Sequence, residues 1–266
     1  MSQASTALSA RWPLAPASAT DWLRELAGDG LTGFMPPPLP DAAWVLNAMY
    51  EHDQAPTGIS HDDVHRAAIA NGSVSPEIVG GIDMNTVGTV TGGGLGRAEH
   101  PGPGWKRLRW ADLARRSGDP MIPDRLLPCY RCFPSVSING SWPITIVPPT
   151  EGSMDRETWN RLIGLLRVHS PAGADTRCLA YYSPLTLGAT DFENLHVRAG
   201  LLGDAEILYD NPEVGFSPSN LWAEDRSWII CTDYDLWATK VAGPASLIEV
   251  LLKDPEIEAV RLPWAP

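Results

Sequence analysis

Glycine and proline decide what this chain can become. It carries 24 glycines and 25 prolines in 266 residues, about 18% of the whole. Proline removes a backbone donor and glycine costs backbone order, so long helices should be few and loops many. A chain of this length buries a proper core, as one large domain or two small ones. With 44% hydrophobic and 20% charged residues it belongs with globular proteins, not with disordered tails or coiled coils.

The punctuation between these breakers gives the elements. Asp21 can cap a short helix through Trp22, Leu23 and Leu26, which Gly28 and Gly30 stop. After the extended run 35–40, Asp41 can cap a second helix with Trp44, Val45, Ala48 and Met49 on one face. Residues 60–71 read as a helix that opens with a Ser60–Asp63 capping box. A β-like stretch over 78–91 (Ile78, Val79, Ile82, Val87, Val90) leads into glycines, and 105–116 reads as a short helix or turn. Asn139-Gly140 suits the tight turn of a hairpin over 135–147. Trp159, Leu162, Ile163 and Leu166 place a helix over 154–168. Strands follow at 178–182, 205–209, 227–232 and 237–242, then a helix burying Leu247, Ile248, Leu251 and Leu252, and a strand at 257–262. The expected fold is α+β, a mostly antiparallel sheet with flanking short helices and many loops. Pro120, Pro123 and Pro128 mark a soft boundary between a helical or irregular region 1–120 and an α+β domain 121–266.

Thirty-two Asp and Glu against 20 Lys and Arg leave a net charge of −12. Unspecific binding to nucleic acid or to anionic membrane needs clustered positive charge, so neither is an expected partner. The longest apolar runs, 228–231 and 246–252, fall far short of the ~20 residues that cross a bilayer. The first twenty residues lack the basic start and apolar run of a secretory signal. The expected location is cytoplasmic, with Cys129, Cys132, Cys178 and Cys231 reduced.

Four places can carry chemistry. His61-Asp-Asp-Val-His65 has the spacing of paired zinc ligands, but Asp62 and Asp63 equally serve the first helical turn, and no third ligand is identifiable. Cys129-Tyr-Arg-Cys132 lacks the second pair a zinc site needs and precedes Phe133-Pro134 rather than a helix, so buried structural cysteines are expected. Gly92-Gly-Gly-Leu-Gly96 has neither phosphate-loop spacing nor a helix behind it and reads as a turn. The fourth is richer. Trp222, Glu224, Asp225, Asp233, Asp235 and Trp237 crowd acidic and aromatic side chains together. Asp233 and Asp235 alternate, which puts both carboxylates on one face of a strand or its end. Such a pair can hold a metal or do acid/base work, or simply flank a turn. Residues 201–266 hold twelve acidic against four basic residues, while 97–131 hold eight basic against four acidic. An acidic, Trp-bearing face that docks a basic partner follows from that distribution.

The segment SPSNLWAEDRSWIICTDYDLWATKVAGPASLIEVLLKDPEIEAV (217–260) resembles a segment of uncharacterised proteins of high-GC actinobacteria. Its PxNLW…DR-x-W run and its T-D-x-D-L-W-x-T-x-V-x-G run carry that resemblance. Some of those proteins look like immunity proteins of polymorphic toxin systems. The resemblance implies a protein-binding module that neutralises a partner toxin, and it brings no catalytic residue with it. Trp222, Glu224, Asp225, Asp233, Asp235 and Trp237 are then the expected contact residues, the partner is another protein of basic character, and no cofactor or metal is expected. Two alternatives stand beside it. One is a hydrolase or metal-dependent transferase using Asp233, Asp235 and Glu224, or His61 and His65. The other is a structural subunit of a larger assembly, its tryptophans buried on association.

Overall fold

A computed structural model describes residues 3–26, 28, 30–36, 39–75, 78–79, 82–83, 90–123, 126–188 and 196–262. The strands are, in chain order, β1 (Asp41–Leu46), β2 (Met49–His52), β3 (Ile78–Val79), β4 (Ile82–Asp83), β5 (Trp105–Leu108), β6 (Ile146–Val147), β7 (Arg177–Tyr182), β8 (His196–Leu201), β9 (Asn220–Ala223), β10 (Ile229–Thr232), β11 (Ala238–Gly243) and β12 (Ala259–Arg261). The helices are α1 (Gln3–Arg11), α2 (His61–Ala70), α3 (Trp110–Ser117), α4 (Arg156–His169), α5 (Pro184–Leu187) and α6 (Ala245–Lys253). The fold is α+β. Two compact units interleave along the chain: Met1–Asn47, Leu95–Ala98 and Thr150–Pro266 form the first, Ala48–Gly94 and Glu99–Pro149 the second. The proline-marked stretch 120–128 therefore falls inside the second unit.

The first unit is built on a seven-stranded sheet in the order β12-β1-β11-β10-β9-β7-β8, with every neighbouring pair antiparallel. Alternate residues point to opposite faces, and both faces are covered. Ala43, Val45, Ala180, Leu221, Ile230 and Val241 meet Trp159, Leu162, Ile163 and Leu166 of α4 and Leu247, Ile248 and Leu251 of α6. On the other face Leu179, Tyr181, Trp222, Ile229 and Ala242 meet Leu23 and Phe34. No helix among the described residues is long and apolar enough to cross a membrane.

Burial on both faces explains why 41–46 is strand and not the expected helix. A strand buried on two sides reads as a nearly continuous apolar run, which fits a helical template as well. Asp41 does not cap a helix; it accepts from the Ala42 N–H at 2.9 Å and pairs with Arg261 at 3.1 Å. The expected strand at 205–209 is likewise a run of tight 3₁₀ turns over Leu202–Asp210. Leu202, Ala205 and Leu208 recur every third residue and are fully buried, the period of that helix. At 20–26 two short 3₁₀ turns, Ala17–Thr20 and Leu23–Glu25, replace a helix. Strands β8 and β9 had no expectation.

In the second unit β5, β2 and β6 form a three-stranded sheet in that order, and α2 opens with the expected capping box. Of the β-like stretch 78–91, β3 pairs with β4; Val87 lies outside the described residues. The expected hairpin shrinks to its turn. Asn139 and Gly140 take positive φ, 53° and 89°, and Ile138 and Ser141 exchange both backbone hydrogen bonds. Pairing stops there, because Pro134 and Pro143 on either side have no N–H to give.

Candidate functional site

The six residues singled out in the C-terminal third have two different fates. Trp222 and Trp237 are 2% and 1% exposed, so neither ring can reach a partner. Trp222 packs against Trp22 with centroids 6.0 Å apart, and Trp237 enters β11 from the core. The expected Trp-bearing surface is corrected on this point: both indoles are buried.

The carboxylates reach the surface but at opposite ends of β10. Glu224 and Asp225 follow β9, whereas Asp233 and Asp235 follow β10. Four strand residues separate the two turns, on the order of 14 Å. Glu224 pairs with Arg177 at 2.8 Å, and Asp225 accepts from the Ser227 N–H within its own turn at 2.9 Å. Arg226 turns away from Asp225 and lies over the Trp22 ring, 5.1 Å from its centroid. The three carboxylates of the enzyme alternative are thus not brought together.

Most of the acidity of 201–266 is met by arginines from elsewhere in the first unit. Helix α4 aims Arg156 at Asp210, Arg161 at Asp254 and Arg167 at Glu206. The Arg156 hydrogen bond holds the Asp210 carboxyl below its ordinary range. Arg11 meets Asp204, and Arg261 meets Glu249.

Asp233 and Asp235 are not among the carboxylates so met. Neither forms an ion pair among the described residues. Asp233 accepts from Thr32 Oγ1 at 2.8 Å and from the Asp235 N–H at 3.0 Å, which closes its turn. Burial, then the Asp233 charge, push the Asp235 carboxyl up. Between them Tyr234 stacks on Phe216, centroids 5.4 Å apart and planes 29° from parallel, and both rings are half-buried. Gly152 makes that stack possible. A Cβ there would sit 3.0 Å from the Phe216 ring and 3.0 Å from the Tyr234 carbonyl, and its φ is +78°. Its neighbour Glu151 bridges to Leu95, which is 52% exposed. One surface of the first unit therefore combines two unpaired carboxylates with two stacked aromatic rings and an exposed leucine. Tyr234 was legible in the Asp-Tyr-Asp alternation; Phe216 and Leu95 carry no local signal.

The His61 ring is engaged within the second unit. His61 Nε2 donates to the Ile146 carbonyl at 2.9 Å, and its ring lies on Gly92, where a Cβ would fall 2.2 Å from Cε1. Asp62 accepts from the Val90 N–H at 2.6 Å. Among the described residues no three His, Cys, Asp or Glu converge on a possible metal position. The glycine run is thus a packing turn against His61. A cavity of about 590 Å³ in the first unit is lined by Tyr182, His196, Arg198, Asn211 and Glu213, among others, and a smaller one of about 280 Å³ by Arg177, Glu224 and Asp225. Asp233 and Asp235 line neither.

Comparison with protein families, with curated proteins and with solved structures finds no match to this chain.

Proposed function

We propose that this chain is a cytoplasmic protein-binding module of the immunity type, which neutralises a basic partner toxin by docking it on the Asp233–Tyr234–Asp235 surface. The observation that carries this reading is the contrast in charge pairing. Most carboxylates of 201–266 meet arginines, while Asp233 and Asp235 form no ion pair among the described residues and stand beside half-buried aromatic rings. Unpaired charge steers a basic partner and selects against acidic ones. Aromatic rings at the centre of such a patch supply the anchoring contacts. The net charge of −12 and the resemblance of 217–260 support the same direction.

The test begins with capture of the tagged protein's partner from host lysate at low and moderate salt, followed by binding measurements on the purified pair. Asp235→Lys is the cleanest variant, because the Asp235 side chain takes no part in closing the turn, whereas Asp233 does. Affinity should fall roughly tenfold at low salt, about 1.4 kcal/mol, and the loss should shrink as salt rises. The unfolding midpoint should stay unchanged. A folded Asp235→Lys protein with unaltered affinity would remove this surface from the interface.

A further inference from the structure

The Cys129-Tyr-Arg-Cys132 segment belongs to the second unit, and its chemistry is independent of the proposed docking surface. The chain reverses here: the Cys132 N–H donates to the Cys129 carbonyl at 2.9 Å, the bond of a β-turn. Such a turn holds its end Cα atoms within about 7 Å, close to the span of a disulfide. Both thiols are free.

The two sulfurs are not equivalent. Cys132 is 1% exposed, and its thiol also faces the Leu127 carbonyl at 4.0 Å. Cys129 is only half-buried. Arg131 stays close to it, held by its Nε hydrogen bond to Tyr130 Oη at 3.0 Å and by stacking over that ring at 5.4 Å. The neighbouring Cys132 thiol, joined by the Arg131 N–H and charge, outweighs burial and holds Cys129 well below the ordinary thiol range. Cys178 and Cys231 behave in the opposite way: burial pushes both up, Cys178 to about 12. Of the pair expected to be buried structural cysteines, Cys132 is buried and Cys129 is not.

We propose that Cys129 and Cys132 form a redox-active dithiol that exchanges with small disulfides, Cys129 attacking and Cys132 resolving. The Cys129 thiolate attacks one sulfur of a disulfide RSSR; that S–S bond breaks, and one RS⁻ leaves and takes a proton from water. Cys132 then attacks the Cys129 sulfur, the mixed S–S bond breaks, and the second RS⁻ leaves with the Cys132 proton. Two protein thiols are oxidised to one disulfide, and RSSR is reduced to two RSH.

The test uses the full reduced chain and glutathione disulfide. Thiols titrated after denaturation should fall from four to two, and peptide mapping should place the new disulfide between Cys129 and Cys132. Cys132→Ser should accumulate one glutathione at Cys129, since nothing resolves the adduct. Cys129→Ser should accumulate none at Cys132 in the same time. If the wild-type chain keeps all four thiols, or glutathione spreads over several cysteines, the dithiol is not there. The wild-type titration and map decide alone if the buried Cys132→Ser change prevents folding.

Discussion

Replacing Asn220 by leucine is expected to lower the unfolding free energy by about 4 kcal/mol. Asn220 is fully buried at the start of β9. Its Oδ1 accepts from the Phe34 N–H at 2.9 Å, and its Nδ2 donates to the Phe34 and Ile230 carbonyls at 2.7 and 3.1 Å. One side chain thus fastens residue 34 across the sheet face, 186 positions away in sequence. Leucine has a similar volume but no polar atom, so the Phe34 N–H and carbonyl are left without their partner in an apolar layer. Each orphaned group costs about 1–3 kcal/mol. Urea unfolding should show an earlier midpoint with an unchanged slope. The same change should weaken partner capture, because Thr32, just before Phe34 on the same strap, holds Asp233. A loss below about 1 kcal/mol would mean that water or a shifted strap replaces the lost bonds.

Local physics was legible in the sequence, and long-range physics was not. Helix α2 announced itself through Ser60 and Asp63, and α4 and α6 through apolar side chains on one stripe, because caps and stripes lie within a few residues of one another. Strands β10, β11 and β12 were legible for the same reason, each being apolar and set off by turn residues. β1 was not, since its two-faced burial comes from residues far along the chain. The docking surface shows the same division. Asp233 and Asp235 were legible as a pair on a strand end, and their turn is what the structure contains. Their separation from Glu224 and Asp225 follows from β10 running between the two turns. Pairing of Asp210 and Asp254 depends on α4, whose Arg156 and Arg161 stand 54 and 93 positions away from them. Charge counted along a chain overstates a patch wherever a distant helix returns to neutralise it. Tryptophan misled in a similar way: Trp222 and Trp237 were expected on a docking face, yet both are buried.

Trp159 gives the second large effect. Its ring is fully buried under the sheet and lies 6.4 Å from the Tyr209 ring. Trp159→Ala should cost about 3–5 kcal/mol, the loss of apolar contact plus the cavity left behind. That corresponds to a thermal midpoint roughly 10 °C lower, at about 2–4 °C per kcal/mol for a body of this size. The phenylalanine variant separates shape from polarity. Trp159 Nε1 has no hydrogen-bond partner among the described residues, so removing it relieves a buried donor while the smaller ring gives up some packing. Trp228 sits in the same core, but its Nε1 donates to Ser170 Oγ at 2.8 Å. Trp228→Phe loses both the packing and that bond. Of the two phenylalanine variants, Trp159→Phe should be the milder by about 1–2 kcal/mol. Equal losses would show that packing alone sets the cost, and that the indole N–H of Trp159 finds an acceptor in solution.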